Sequence, residues 1–196
     1  VIEHYESGRA HISKGLILDA KAIANRNINT FDGLITDETP LVGIEPSAVL
    51  SFRDEYPDLA EPDLKKASQE IARNTFLFEE FISREIDRGI ITKDMFTTDD
   101  RDLIFHGHCQ QKALSNLSHA EKILSLPENY SVKIMPTGCC GMAGSFGYES
   151  EHYDVSMKVG ELVLLPSVRN RASHAMVIPP GTSRGHQIRD GAHTRP

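Results

Sequence analysis

The sequence predicts an α/β fold made of two pseudo-repeats, with mostly parallel strands flanked by helices. Three observations predict it. Short apolar runs alternate with segments of helical period, the pattern of strand–helix–strand units. Glycine-bearing loops follow the apolar runs. The order of elements also recurs when Gly8 is aligned with Gly141: a loop, a long helix, an apolar strand, then a Ser-containing turn.

In chain order, Ser7-Gly8-Arg9 leads into a helix whose apolar residues Ile12, Leu16, Ala20 and Ile23 fall at helical spacing. Leu41-Val42-Gly43-Ile44 reads as a short buried strand, ended by the loop signal Glu45-Pro46-Ser47. A helical region over 63–88 contains Phe76, Leu77, Phe78, Phe81 and Ile82, with Gly89 as its C-cap. Residues 102–105 form a strand that feeds His106-Gly107-His108-Cys109, then a helix to about Leu126. Residues 132–135 form a strand followed by the loop Gly138-Cys139-Cys140-Gly141-Met142-Ala143-Gly144. A long helix over 149–169 follows, which Pro166 ends or kinks. The last strand, 175–178, runs into Gly181-Thr182-Ser183-Arg184-Gly185-His186.

The repeat is also one of spacing. Ser7 and Ala48 lie 41 residues apart, Cys140 and Arg184 44. The first copy lacks its opening strand, which would lie upstream of Val1, so the chain reads as a piece of a longer protein. The division this implies is 1–90, a degenerate first repeat with a connecting helix, and 91–196, the second repeat.

Composition narrows the function classes. Twenty-one basic against 28 acidic residues leave a net charge of -7, which argues against a nucleic-acid surface. No stretch approaches the ~20 apolar residues that span a bilayer. Val1-Ile2-Glu3-His4 does not resemble the start of a signal peptide. Three cysteines, an odd number with two adjacent, do not make a secreted disulfide framework and fit a reducing compartment.

Cys109, Cys139 and Cys140 each fall just after a predicted strand. Loops at the carboxyl ends of parallel strands share one edge of the sheet, so the three thiols converge there. Adjacent cysteines on an extended strand would point apart. A tight Gly-Cys-Cys-Gly loop aims both inward, using the backbone freedom of its glycines. Soft thiolates select iron–sulfur clusters, zinc or copper(I). A lone buried cysteine is ordinarily a small hydrophobe, and that reading fits Cys109 taken alone. The glycines around Cys139-Cys140 serve loop geometry instead. Alternatively, the vicinal pair with Cys109 nearby could cycle between dithiol and disulfide. His106 and His108 beside Cys109 also suit zinc, although the spacing matches no zinc finger. His152 and His186, taken singly, read as polar surface or supporting groups. Gly181-Thr182-Ser183 reads either as a donor-rich turn facing an anionic group or as an ordinary surface turn.

Taken together, His106-Gly107-His108-Cys109-Gln110-Gln111-Lys112, the stretch from Gly138 to Glu149 and Gly181-Thr182-Ser183 resemble the cysteine-rich CCG domain. That domain occurs in heterodisulfide reductase subunits, in glycolate and lactate oxidase iron–sulfur subunits, and in the C-terminal region of FAD-linked oxidases. Similarity to the last group extends to His152-Tyr153-Asp154, Met157-Lys158, Glu45-Pro46-Ser47 and residues 52–57, and so covers nearly the whole chain. The resemblance implies an iron–sulfur electron-transfer region serving a flavin-containing oxidase domain or subunit that oxidises a 2-hydroxy acid, and an electron acceptor beyond it. It implies FAD elsewhere in the full protein, and a cytoplasmic location, peripheral at the inner membrane through partners. The family pattern binds each cluster by a first Cys, the CCG pair and a later Cys. Cys109, Cys139 and Cys140 match three of these positions, whereas Arg184 stands at the fourth. In the first copy Glu6-Ser7 and Ala48 stand at the corresponding positions. His186 is then the candidate fourth ligand, since imidazole can replace thiolate on iron. Zinc at the three thiols, or a scaffold without metal, are the alternatives.

Overall fold

A computed structural model describes residues 3–136 and 138–194. The opening Val1-Ile2 pair read above lies outside them. The architecture is mixed α/β, with two small parallel sheets flanked by helices. The chain divides into two compact units, 1–78 and 79–196.

The first unit opens with α1 (Arg9–Ser13) and α2 (Ile17–Phe31). Sequence periodicity alone predicts one helix through this region. The chain instead breaks at Gly15, whose φ of 73° belongs to the left-handed region. α2 buries Ala20, Ala24, Asn27, Ile28 and Phe31, one stripe at helical spacing. Strand β1 (Leu41–Gly43) is followed by α3 (Pro46–Arg53) and α4 (Glu55–Leu59). Pro46 is therefore not a loop residue but the first position of a helix, where its missing N–H costs nothing.

After α5 (Lys65–Arg73) the predicted single helix over 63–88 is interrupted. Thr75, Phe76 and Leu77 form strand β2, which pairs in parallel with β1 at Leu41↔Thr75, and α6 (Phe78–Asp87) starts only afterwards. Apolar β-formers in a short run read equally as helix, and only the partner strand decides. The core of this unit is Ala24, Ile28, Phe31, Ile35, Phe52, Tyr56, Ala60 and Ile71. Phe31, Phe52 and Tyr56 pack in succession, edge-on and then tilted, with ring centroids 5.7 and 4.2 Å apart.

The second unit carries the sheet β4-β3-β5, all parallel. Its strands are β3 (Arg101–Phe105), β4 (Tyr130–Ile134) and β5 (Met176–Ile178). Two helices, α7 (Cys109–Leu114) and α8 (Leu117–Leu124), connect β3 to β4. They are separate because Asn116 caps α8, its Oδ1 accepting from Ser118 N at 2.9 Å. Between β4 and β5 lie α9 (Tyr153–Leu162) and α10 (Leu164–Arg169). The predicted 149–169 helix is broken at Val163 (φ -146°), three residues before Pro166. A proline ring clashes with the carbonyl four residues earlier, here that of Leu162. Finally, α11 (Thr182–Ala192) starts where the sequence reads as a turn. Met135, Cys140, Met142, Leu164, Val168, Val177 and Ile188 form the apolar core of this unit. Among the described residues, no helix is long and apolar enough to cross a membrane.

Candidate functional site

The carboxyl ends of the three strands of the second unit define the site. β3 leads into His106-Gly107-His108-Cys109, β4 into the Gly138–Gly141 loop and β5 into the first turn of α11. Because all three strands run the same way, these segments lie at one edge of the sheet.

Cys109 is the first residue of α7, held in place by a capping box. His108 Nδ1 accepts from Gln110 N at 3.2 Å, and Gln111 Oε1 accepts from His108 N at 3.2 Å. Gln111 is fully buried and donates to Glu79 Oε1 at 2.6 Å. Burial pushes the Glu79 carboxyl above its usual range.

The Cys139-Cys140 loop turns on Gly141, at φ 93°, where a Cβ would come 2.1 Å from the Ser156 carbonyl oxygen. Only glycine lets α9 approach this closely. Gln187 holds the loop from α11: its Nε2 donates to Cys140 O at 2.9 Å and to Ser156 O at 3.0 Å. Cys140 itself is 3% exposed and sits in the apolar core, whereas Cys109 and Cys139 are exposed.

The three thiols lie in two loops that follow adjacent parallel strands. Cys139 Sγ accepts from Gly141 N at 3.3 Å. Donation by Cys109 and then Cys140, helped by Gly141 N–H and the nearby Arg184 charge, holds the Cys139 thiol well below its usual range. The same contacts with Cys139, together with burial, push the Cys109 and Cys140 thiols up.

Arg184 completes the site. It is 1% exposed, at the third position of α11, and its guanidinium is always charged. Its Nη2 donates to Cys109 Sγ at 3.1 Å and its Nε to His106 Nδ1 at 3.1 Å. Among the described residues no carboxylate pairs with it. The bond to Nδ1 fixes His106 as a neutral ring with its proton on Nε2. That atom is buried beside Gly138 without a hydrogen bond of normal geometry. Burial first, and the Arg184 charge second, lower the His106 pKa to about 4 and that of His108 to about 3.

The structure therefore brings Arg184 to Cys109 and His106, with Cys139 and Cys140 in the loop after the neighbouring strand. His186, on the same helix, has a partner of its own. Two residues beyond Arg184 and about 200° around the helix, its Nδ1 is 2.8 Å from Tyr148 Oη. His152 stacks on Phe146 with centroids 4.2 Å apart and lies 2.7 Å from Glu149 Oε2. Among the described residues, Glu149, Glu151 and His152 form the set whose ligand atoms all lie within 4.8 Å of one another. Gly181-Thr182-Ser183 is not a free turn; Thr182 and Ser183 open α11. Sequence reasoning missed Gln111, Ser156 and Gln187. Gln187 had one legible signal, its position one helical turn after Arg184.

The relatives of the chain are dehydrogenases. It is 24% identical to D-2-hydroxyglutarate dehydrogenase of Escherichia coli K12 over 157 residues, 80% of this chain and 14% of that protein. It is 25% identical to the Haemophilus influenzae protein of the same name over 160 residues, 78% of this chain and 15% of that protein. It is 22% identical to one subunit of the anaerobic glycerol-3-phosphate dehydrogenase of E. coli K12 over 123 residues, 62% of this chain and 29% of that relative. The chain thus spans less than a third of the length of each of these relatives. No family model matches it, and no solved structure does. The chain is thus similar to a segment of each of these dehydrogenases.

Proposed function

We propose that this chain is the CCG-type electron-transfer region of an FAD-linked 2-hydroxy-acid oxidoreductase, with an incomplete set of cluster ligands. One observation carries the reading. In a chain similar to D-2-hydroxyglutarate dehydrogenases, three thiols stand in two loops at the carboxyl edge of a parallel sheet, with the buried Arg184 bonded to one of them. Cys109, Cys139 and Cys140 are the residues that would hold an iron–sulfur cluster, which when bound supplies one-electron transfer. The donor set fits three thiolate corners and not four, because a buried guanidinium stands where a fourth thiolate is required. The flavin domain or subunit that oxidises the substrate lies outside this chain, as does the electron acceptor. The protein works in the cytoplasm, at the inner membrane through its partners.

The two-repeat reading, 1–90 and 91–196, rests on local equivalences. Gly8 and Gly141 both have positive φ, 73° and 93°. Ala48 and Arg184 are both third residues of the helix that follows a strand. With Glu6, Ser7 and Ala48 in place of thiols, the first repeat is a scaffold.

A second reading, a metal-free docking module, is favoured by the Arg184–Cys109 bond and the seating of Cys140 in the apolar core. The test is to express the chain with its native flanks, purify it anaerobically, and measure iron, sulfide and zinc per chain. Brown protein with iron and sulfide, both lost in Cys139→Ser, supports the relay. Folded, colourless, iron-free protein refutes it; zinc would then mark a zinc site, and no metal would leave the docking module.

A further inference from the structure

The second unit holds an open cleft that the thiol site does not use. It lies on β3 and β4 beside the end of α10, and its volume is about 470 Å³, within the range of small-molecule pockets. Its position follows from the sheet. β4 is an edge strand, and Asp102↔Ser131 and Ile104↔Lys133 are registered pairs of β3 and β4. α10 shares a core with Val177 of β5, through Leu164 and Val168. Ser131 and Lys133, on the far strand, stay exposed. Ile104, Met135 and Ala175 give the cleft an apolar lining.

Two cations line the same cleft, Lys133 and Arg171. Neither makes an ion pair with a described residue, in a chain of net charge -7. The one carboxylate among the described lining residues, Asp102, is taken up by His174 Nε2 at 2.6 Å. Arg171 is held rigidly. Its Nε donates to Ala175 O at 3.1 Å, its Nη1 to Val168 O at 2.8 Å and its Nη2 to Thr194 Oγ1 at 2.9 Å. A guanidinium has five N–H groups, so two remain that no described group accepts. A fixed fork with free donors, a mobile ammonium and an apolar lining suit one kind of occupant.

We propose that this cleft binds a small organic monoanion, a carboxylate carried on an apolar body. Two cations against one carboxylate leave a single positive charge for the ligand to neutralise. The free N–H groups of Arg171 and the Lys133 ammonium take the carboxylate, and the hydrocarbon lies on Ile104, Met135 and Ala175.

The test titrates the whole chain, expressed with its native flanks, with hexanoate, and reads binding by saturation-transfer NMR. Saturable binding is expected. 1-Hexanol, with the body but no charge, and inorganic phosphate, with charge but no body, are each expected to bind about tenfold more weakly. Lys133→Gln should weaken hexanoate about tenfold, the loss of one charge-assisted hydrogen bond. Lys66→Gln, the same change at an exposed lysine of the first unit, should leave it unmoved. Arg171→Lys should also weaken it, because one ammonium cannot hold three protein acceptors and meet the ligand. Circular dichroism checks folding; if Arg171→Lys unfolds, the exposed Lys133 carries the test alone. No saturable binding, phosphate or hexanol binding as tightly as hexanoate, or equal affinities in Lys133→Gln and Lys66→Gln overturns the proposal. Iron analysis reads the thiols, which take no part in hexanoate binding, so the two readings fail separately.

Discussion

Gly141→Ala tests whether the thiol loop is built by close approach to α9. At φ 93° an alanine is strained by about 1–2 kcal/mol. Its methyl group would also sit 2.1 Å from the Ser156 carbonyl oxygen and 2.9 Å from the carbonyl carbon. These are backbone atoms of a helix that cannot swing aside as a side-chain tip can, so overpacking adds about 1–3 kcal/mol. The expected loss is on the order of 3 kcal/mol, or roughly 10 °C in melting temperature for a unit of this size. Gly138→Ala is the control, three residues away in the same loop. Its Cβ would meet nothing within 4 Å, and its φ lies outside the left-handed region. It should stay within about 1 kcal/mol of the parent. Urea unfolding followed by circular dichroism measures both. A loss below about 1 kcal/mol for Gly141→Ala, or an equal loss for Gly138→Ala, refutes the close-approach reasoning.

Two further predictions concern the groups around the thiols. Gln187→Ala removes the donor to Cys140 O, Ser156 O and Ser156 Oγ. It should cost about 1–3 kcal/mol for the buried acceptors left bare, visible in the same unfolding assay. His106 and His108 have folded pKa values near 4 and 3, below the usual value of about 6.5, so the unfolded chain takes up protons first. Their contribution is whole above pH ~6.5 and is lost as pH falls toward those folded values, by about 2 kcal/mol per histidine at pH 5. Stability measured from pH 7 to pH 5 should therefore fall, and less steeply in His106→Gln; an equal slope in the variant would contradict the buried, neutral imidazole.

Much of the architecture was legible in local pattern. The strands at Leu41–Gly43, Arg101–Phe105, Tyr130–Ile134 and Met176–Ile178 stand as apolar or alternating runs between loop signals, within one or two residues of the sequence reading. Breaks were the poorest part. Gly15, Asn116 and Val163 each divide what periodicity reads as one helix, and β2 was hidden inside another. Periodicity reports which face is apolar, not whether the backbone stays hydrogen-bonded from turn to turn. In the site, the thiols could be located because glycines and strand ends punctuate the sequence around them. The roles of Gln187 and Gln111 could not be read, because a buried amide is identified only by its acceptors, and those lie 31 or more residues away.

The sequence by itself determined the α/β class and the loops that carry Cys109, Cys139 and Cys140, and its resemblance to the CCG domain marked Arg184 as standing where a fourth thiol was expected. These are properties of residue order, since period, turn chemistry and spacing act over a few residues. Only the tertiary structure decided where the side chains point. It turned Arg184 inward onto Cys109 and His106 and His186 outward to Tyr148, and it separated an exposed Cys139 from a buried Cys140. Two residues on one helix, or two adjacent in a loop, differ by a rotation that local sequence does not set. The surfaces packed against them do.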